Sequence, residues 1–262
     1  MPDQSTIHPT DADAPIPAKP NAVAQGWQIV HSRYLYESHW YSVRQDEIRL
    51  PNGETIHYTQ IEHPGFVTIV PVTDEGQIVL IRSYRYSVDE WTWEVPAGGL
   101  GNKADQSLAE AAAGELLEET GAAARDLQFI ASYYTGIGSS NIRAHIFLAT
   151  GVHFVGKQEL EQTEVIQVHT MPILDALQFA RSGQMQDGQS VAALLYCEPL
   201  LRAGDDGWVV AAECTMADGM RSGCWADKAG DGKMKVTTTD YAAVPDARGG
   251  LGRTADVSCR RR

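Results

Sequence analysis

An α/β fold, with apolar strands of a sheet flanked by helices, is what this chain predicts, and three observations predict it. The first is a pair of apolar strands, Phe66-Val67-Thr68-Ile69-Val70-Pro71-Val72 and Ile78-Val79-Leu80-Ile81, joined by the turn residues Asp74-Glu75-Gly76. The second is a helix that carries its own start and stop signals. Ser107-Leu108-Ala109-Glu110 is a capping box, and Gly121 supplies a C-terminal stop. The third is a series of long N-terminal strands over residues 27–36, 40–50 and 55–61, with Pro51-Asn52-Gly53 turning the second into the third.

The remaining elements follow in order. Residues 1–26 are polar and punctuated by Pro2, Pro9, Pro15, Pro17 and Pro20, which predicts a disordered segment without a targeting core. Residues 27–62 form an antiparallel β subdomain whose strands need a partner surface, and a homodimer would provide one. Residues 63–201 are the main domain. After the capped helix it carries a strand over residues 144–149, an extended segment over 164–168, an amphipathic helix over 174–180 and an apolar helix over 191–196. From residue 202 to 262 the chain is rich in Gly and Asp with little periodicity, so no fold is assigned there, although Trp208-Val209-Val210-Ala211 suits a short strand.

Charge and cysteine usage exclude several function classes. The first 201 residues hold eleven basic against twenty-five acidic residues, so they lack the broad basic face of a nonspecific nucleic-acid binder. No apolar run approaches the roughly 18 residues of a membrane span. The four cysteines form no C-x-x-C pair, which argues against zinc or a disulfide framework and for a reducing, cytoplasmic setting.

The chemistry concentrates in Glu115-Leu116-Leu117-Glu118-Glu119-Thr120-Gly121. Offsets of three and four put the three carboxylates on one helix face. Like charges at that spacing repel by a few tenths of a kcal/mol per pair. A solvated acidic face is the plain reading of such a cluster. A bound hard cation is the functional one, since Mg2+ takes one or two carboxylates plus water and substrate phosphates. A tight turn precedes the helix, Glu94-Val95-Pro96-Ala97-Gly98-Gly99.

This constellation resembles the Nudix box, G-x5-E-x7-R-E-U-x-E-E-x-G-U, and the resemblance extends over residues 27–201. An arginine, Arg85, nine residues before the Glu94-Val95-Pro96-Ala97-Gly98 turn is similar to the ADP-ribose pyrophosphatase branch of that family. The sequence departs from the pattern at Gly114, where the family has arginine, and at Gln106, where it has glutamate. The segment from Gly98 to Gln106 is about two residues longer than the pattern, and Asp105 is a candidate stand-in for the missing glutamate.

The resemblance implies an α/β/α sandwich with a mixed sheet, preceded by the N-terminal β subdomain. It implies Mg2+-dependent (or Mn2+-dependent) hydrolysis of ADP-ribose or a related nucleoside diphosphate sugar to a nucleoside monophosphate and a sugar phosphate. Glu115, Glu119 and the Ala97 carbonyl would hold the metal, with Glu118 beside them. Gly98 and Gly99 would let the backbone approach, and Arg85 would fix the diphosphate, with Glu94 of the same turn also binding the substrate. Arg82 and Arg143 are further candidates for that task. Glu164 aligns with the family's loop base, and Glu161 or Glu159 could substitute; His145 fits a strand and reads as structural. Trp40 and Tyr58 would sandwich the adenine, often across a homodimer interface. Two rivals stand beside this reading: a Nudix hydrolase of another nucleotide, and a catalytically weak Nudix-fold binding or regulatory protein.

Overall fold

Backbone pairing, more than helix, organises this chain. The computed structural model describes residues 12–101, 103, 105–206, 209–215, 221–228 and 234–237. At the N-terminus β1 (Ala12–Asp13) is followed by the short helix α1 (Pro20–Ala24). Then β2 (Gln28–Glu37), β3 (Ser42–Arg49) and β4 (Thr55–Glu62) complete an antiparallel sheet in the order β1-β2-β3-β4.

Two boundaries differ here from the sequence reading. Residues 12–24 are structured and not disordered, because β1 adds to the edge of β2 and Pro20 sits in the first turn of α1, where its missing N–H costs nothing. Asp13 also meets His31 at 2.8 Å, and Pro15 accepts a hydrogen bond from Arg44. Residues 1–11 lie outside the described residues. Trp40 belongs to the β2–β3 turn and not to a strand. The Ser38 hydroxyl accepts from the amides of Trp40 and Tyr41 at 3.2 and 3.1 Å, which ends pairing locally.

The main sheet is mixed. Its strands are β5 (Phe66–Thr73), β6 (Gln77–Arg85), β7 (Glu90–Glu94), β8 (Ala97–Gly99), β9 (Ala122–Ala123), β10 (Asp126–Tyr134), β11 (Arg143–Phe154) and β12 (Ile166–Pro172). The central order is β10-β11-β5-β6-β12, with β7 on β6, β8 on β5 and β9 on β11. β11 runs parallel to β5, and the other pairings are antiparallel. Phe66 to Pro71 are buried without a break, as a strand covered on both faces requires.

Helix α2 (Leu108–Thr120) lies across β5 and β8, and it closes a core of Val67, Ile69, Val79, Ala111, Ala112, Leu116, Phe147 and Val152. Val70, Ile78 and Leu80, on the opposite parity of their strands, are equally buried. Helix α3 (Ile173–Arg181) packs on β12 and β6, burying Ala176 and Leu177. This is the predicted layering of helices and mixed sheet.

The last helix, α4 (Gly188–Asp206), is longer than the predicted residues 191–196 and contains Pro199. Asp187 starts it, accepting from the Ser190 amide and hydroxyl at 2.9 and 2.6 Å. Contacts divide the chain into a first unit through Leu194 and a second from Leu195. In the second, where no fold was expected, β13 (Val209–Thr215), β14 (Arg221–Lys228) and β15 (Met234–Thr237) form a three-stranded antiparallel meander. Each strand pairs with its neighbour in sequence, so this sheet needs no long-range hydrophobic pattern to specify it. Among the described residues no helix is long and apolar enough to cross a membrane.

Candidate active site

The carboxylates reach their places because α2 is anchored at both ends. The Ser107 hydroxyl accepts from the Glu110 amide at 3.2 Å, and the Glu110 carboxylate accepts from the Ser107 amide at 2.8 Å. At the other end Gly121 adopts φ 71°, and a Cβ there would stand 2.6 Å from the Gly156 carbonyl oxygen. No other residue type fits that stop without strain. The helix then turns Ala112, Glu115, Leu116 and Glu119 inward and leaves Glu118 half exposed.

The turn facing this helix is fixed by two contacts. The Val95 amide donates to Ser190 at 2.9 Å, and the Ala97 amide donates to Glu119 at 2.9 Å. Gly98 is packed so tightly that an added Cβ would lie 1.8 Å from the Glu115 carboxylate, whereas Gly99 has open space. The two glycines, equivalent in the sequence, are therefore different: a side chain at position 98 requires the Glu115 carboxylate to move.

One cavity of about 290 Å³ collects most of the predicted residues. Arg85, Ala97, Gly98, Gly99, Glu115, Glu118, Glu119, Glu161, Glu164 and Trp40 all line it. Glu161 and Glu164 come from the segment between β11 and β12. That segment is tied to α2 by the Glu159 amide on the Glu118 carbonyl (2.8 Å) and by Gln158 on the Glu119 carbonyl (2.7 Å). Within it Glu164 accepts from the Glu161 amide at 2.8 Å.

Arg85 and Glu94 separate into two roles. Glu94 is buried and outside the cavity lining, and it grips Arg85 bidentately, Oε1 on Nε at 2.8 Å and Oε2 on Nη2 at 2.5 Å. That grip pushes the guanidinium's pKa up, and two of its five N–H donors are used. Among the described residues the guanidinium makes no other hydrogen bond, and Arg85 lines the cavity. Thr92 in turn holds Glu94.

The remaining candidates lie elsewhere. Arg82 stacks on Trp91 and Trp93, 6.0 and 5.8 Å from their ring centroids, and Arg143 stacks on Tyr134 at 5.6 Å. His145 shares a hydrogen bond of 2.8 Å with Ser132, as expected of a structural histidine. Burial, with Arg143 nearby, holds its pKa below the usual range. Tyr58 is not brought to the cavity by its own chain; its hydroxyl donates to the Gly138 carbonyl at 3.2 Å. Glu159 and Asp105 do not line the cavity either.

Lys103 is the residue that sequence reasoning missed. It lies ahead of α2 and places Nζ 2.5 Å from Glu115 Oε1 and 3.8 Å from Glu118 Oε2. The signal was a lone basic residue inside the lengthened segment, where Asp105 had drawn attention. His39, His63, Ser83 and Thr163 also join the lining.

The carboxylates carry more charge than their surroundings balance. Burial pushes Glu119 well above the usual carboxylate range, and Glu115 and Glu164 add to the rise while the Ala97 amide and Arg85 oppose it. Burial also raises Glu115, with Lys103 opposing. Among the described residues no three Asp, Glu, His or Cys side chains close into a metal cage. Glu115 and Glu119 are instead a two-carboxylate donor set. Such a set fits an ion that keeps water and borrows substrate phosphates.

Comparison with known proteins identifies the family and the fold. The family model "NUDIX domain" matches residues 62–193, and "Nucleoside diphosphate sugar hydrolase N-terminal domain" matches residues 27–61. The ADP-ribose pyrophosphatase of Bacillus subtilis is 32% identical over 154 residues, spanning 58% of this chain and 82% of that protein. A CMP-5'-(N-acetyl-N-hydroxy-3-aminopropyl)phosphonate hydrolase of Streptomyces rubellomurinus is 30% identical over 169 residues, spanning 64% and 81%. A solved structure of an ADP compounds hydrolase superposes with TM-score 0.60 at 21% identity, covering 68% of this chain and 96% of that one, and supports the fold.

Proposed function

The chain belongs to the NUDIX family of hydrolases, and from that premise we propose that it hydrolyses the diphosphate of ADP-ribose or a related nucleoside diphosphate sugar, releasing a nucleoside monophosphate and a sugar phosphate. The observation that carries this reading is one cavity lined by an anchored arginine, three clustered carboxylates and two further glutamates. An acidic cavity holds an anionic diphosphate only through added positive charge. Glu115 and Glu119, with the Ala97 carbonyl, would hold Mg2+ or Mn2+, and Glu118 would assist. When bound, the ion supplies Lewis acidity toward the phosphoryl oxygens and acidifies water.

The chain's own groups do the rest. Arg85, prevented from turning away by Glu94, offers its remaining donors to the diphosphate. Glu164 takes the proton of the attacking water, held in place through the Glu161 amide, with Glu161 as the nearest alternative. Trp40, 56% exposed at the cavity rim, offers a face for the base. The N-terminal sheet would pair with a second copy and bring Tyr58 across.

A second reading, hydrolysis of conjugates with another base, is favoured by two observations. One relative acts on a CMP conjugate, and Tyr58 lies outside its own chain's cavity. The test is release of phosphatase-labile phosphate from a panel of nucleoside diphosphate sugars, with and without chelator. ADP-ribose as the fastest substrate, with activity lost in chelator and restored by Mg2+ or Mn2+, is the expected result. Preference for a pyrimidine conjugate would install the second reading, and no metal-dependent release from any substrate would overturn both.

A further inference from the structure

Two of the departures from the family pattern meet in space. One is the bare backbone of Gly114, and the other is the lengthened segment that delivers Lys103. A Cβ added at Gly114 would lie 4.0 Å from Lys103 Nζ and 3.7 Å from Glu118 Oε1. The lysine thus lies over the glycine, in room that a larger residue at 114 would contest. Its backbone is held on both sides, the Lys103 amide donating to Leu100 at 3.2 Å and the Gln106 amide donating to Lys103 at 3.0 Å. The side chain is only 10% exposed, and so is most of Glu115, at 11%. A four-carbon stem is thus laid down against the protein with its charge directed at one carboxylate.

We propose that Lys103 is a built-in counter-ion of the Glu115–Glu118 pair, a positioning residue that supplies from the loop the positive charge that helix position 114 lacks, and that contends with a divalent ion for Glu115. The proposal rests on the reading of Glu115 as a metal ligand. Its physical basis is that the ammonium holds Glu115 Oε1 at 2.5 Å, and a divalent ion bound to the same carboxylate must sit close to that positive charge and is repelled by it. Glu118, 3.8 Å from the ammonium and half exposed, is the acceptor that remains for Lys103 when Glu115 is engaged. A side chain that serves structure alone would lower stability when removed. A contending cation also weakens metal binding while present, so its removal has two effects of opposite sign.

The test measures Mn2+ binding, by electron paramagnetic resonance of the free ion, and melting in chelator. Both are measured for the full-length wild type, Lys103→Met, Lys103→Gln and Lys103→Arg. Removing the charge should tighten Mn2+ binding by at least about threefold. The same variants should melt several degrees lower in chelator, and Lys103→Arg should keep wild-type behaviour in both measurements. In a Glu115→Gln background the melting loss from Lys103→Met should shrink, because the nearer partner charge is gone and only Glu118, at 3.8 Å, remains. Unchanged or weaker Mn2+ binding in both neutral variants, or an equal melting loss in the Glu115→Gln background, overturns the proposal. Failure of the underlying metal reading looks different: wild type and all variants would then bind no Mn2+, and the contention would fall with it.

Discussion

Among the described residues two buried acidic clusters, one around Asp46 and one beneath α2, are solvated by protein in opposite ways. In the N-terminal sheet Asp46 is 1% exposed and its Oδ1 accepts from Ser32 at 2.7 Å and from Arg44 Nε at 2.7 Å. Arg44 closes the group by donating to Ser32 at 2.9 Å and to the Pro15 carbonyl at 2.8 Å. Beneath α2, Glu119 is 4% exposed and receives one backbone amide, while Glu115 and Glu164 repel it. The first cluster is charge paired with charge inside a β sheet, away from the cavity; among the described residues Asp46 Oδ2 accepts no hydrogen bond and has Lys19 Nζ at 3.9 Å. The second leaves negative charge facing a cavity, and a protein retains such an arrangement when a ligand completes it. Burial alone does not mark a site; carboxylates that repel one another at a cavity do.

The comparison breaks first on substitution. Glu119→Gln should cut hydrolysis by at least about 100-fold, since a metal supplies several kcal/mol of charge stabilisation and each 1.4 kcal/mol is tenfold. It should leave the melting temperature in chelator unchanged or higher, because an uncompensated charge is removed. Arg44→Met should do the reverse: a loss of about 3–5 kcal/mol in stability, with near-normal turnover per folded molecule. Urea denaturation beside steady-state kinetics checks both. Equal destabilisation by the two variants would mean that Glu119 is scaffold as well.

These two clusters were unequally legible in the sequence. Helix α2 and its three glutamates could be read because capping, stop and spacing are local, each signal lying within four residues of its partner. The Arg44–Asp46–Ser32 group gave no such sign, as it depends on the register of β2 against β3, which pairs Ser32 with Asp46. Lys103 escaped for a related reason. Its partner is twelve positions away and is chosen by how one lengthened segment settles, which no periodicity encodes. Glu94 was recognised as important but given the substrate, when its chemistry is to hold Arg85. Edges were read worst. β1 is two residues long and is defined by the strand it joins, and β13 to β15 pair through backbone groups that side-chain pattern barely reports.

Next in size is the turn that covers the second cluster. Gly98→Ala forces a methyl group into the Glu115 carboxylate, so the carboxylate must leave its place. Displacement of about 1 Å at a reacting centre costs about 100-fold in rate. Gly99→Ala meets nothing within 4 Å and should stay near wild type. Comparable kcat/KM for the two variants would show that Glu115 is placed by something other than this contact.

A smaller effect, but one that separates balanced from unbalanced charge, is the response to pH in chelator. Glu119 and Glu115 have folded-state pKa values raised above the ordinary 4.5, chiefly by burial. Below that value both states hold the proton and these groups cost nothing. As pH rises from 4.5 through the raised values the unfolded chain releases its protons first, so stability falls. Glu110 behaves oppositely. Hydrogen bonding to the Ser107 amide lowers its pKa, so its contribution is present above the ordinary value and is lost as pH falls through the lowered one. Denaturation across pH 4 to 8 should therefore show a downward slope that Glu119→Gln flattens and Glu110→Gln does not. A slope untouched by Glu119→Gln would remove the claim that this carboxylate lacks partners.

The smallest expected effect concerns the aromatic candidates on the N-terminal sheet and its turns. Base stacking on an aromatic ring is worth about 1–3 kcal/mol, so Trp40→Ala should raise KM by roughly tenfold with kcat little changed. Tyr58 donates a hydrogen bond of 3.2 Å to the Gly138 carbonyl and is absent from its own chain's cavity. Replacing it by Ala should leave KM for a monomeric enzyme within experimental error. If Tyr58→Ala raises KM as much as Trp40→Ala does, the ring must arrive from a second copy. In that case mixing Tyr58→Ala with Trp40→Ala protein should restore part of the lost affinity, since some sites in the mixed dimers would then hold both wild-type rings. Absence of that recovery, with KM raised in both variants, would assign the Tyr58 effect to distortion of the Gly138 turn instead.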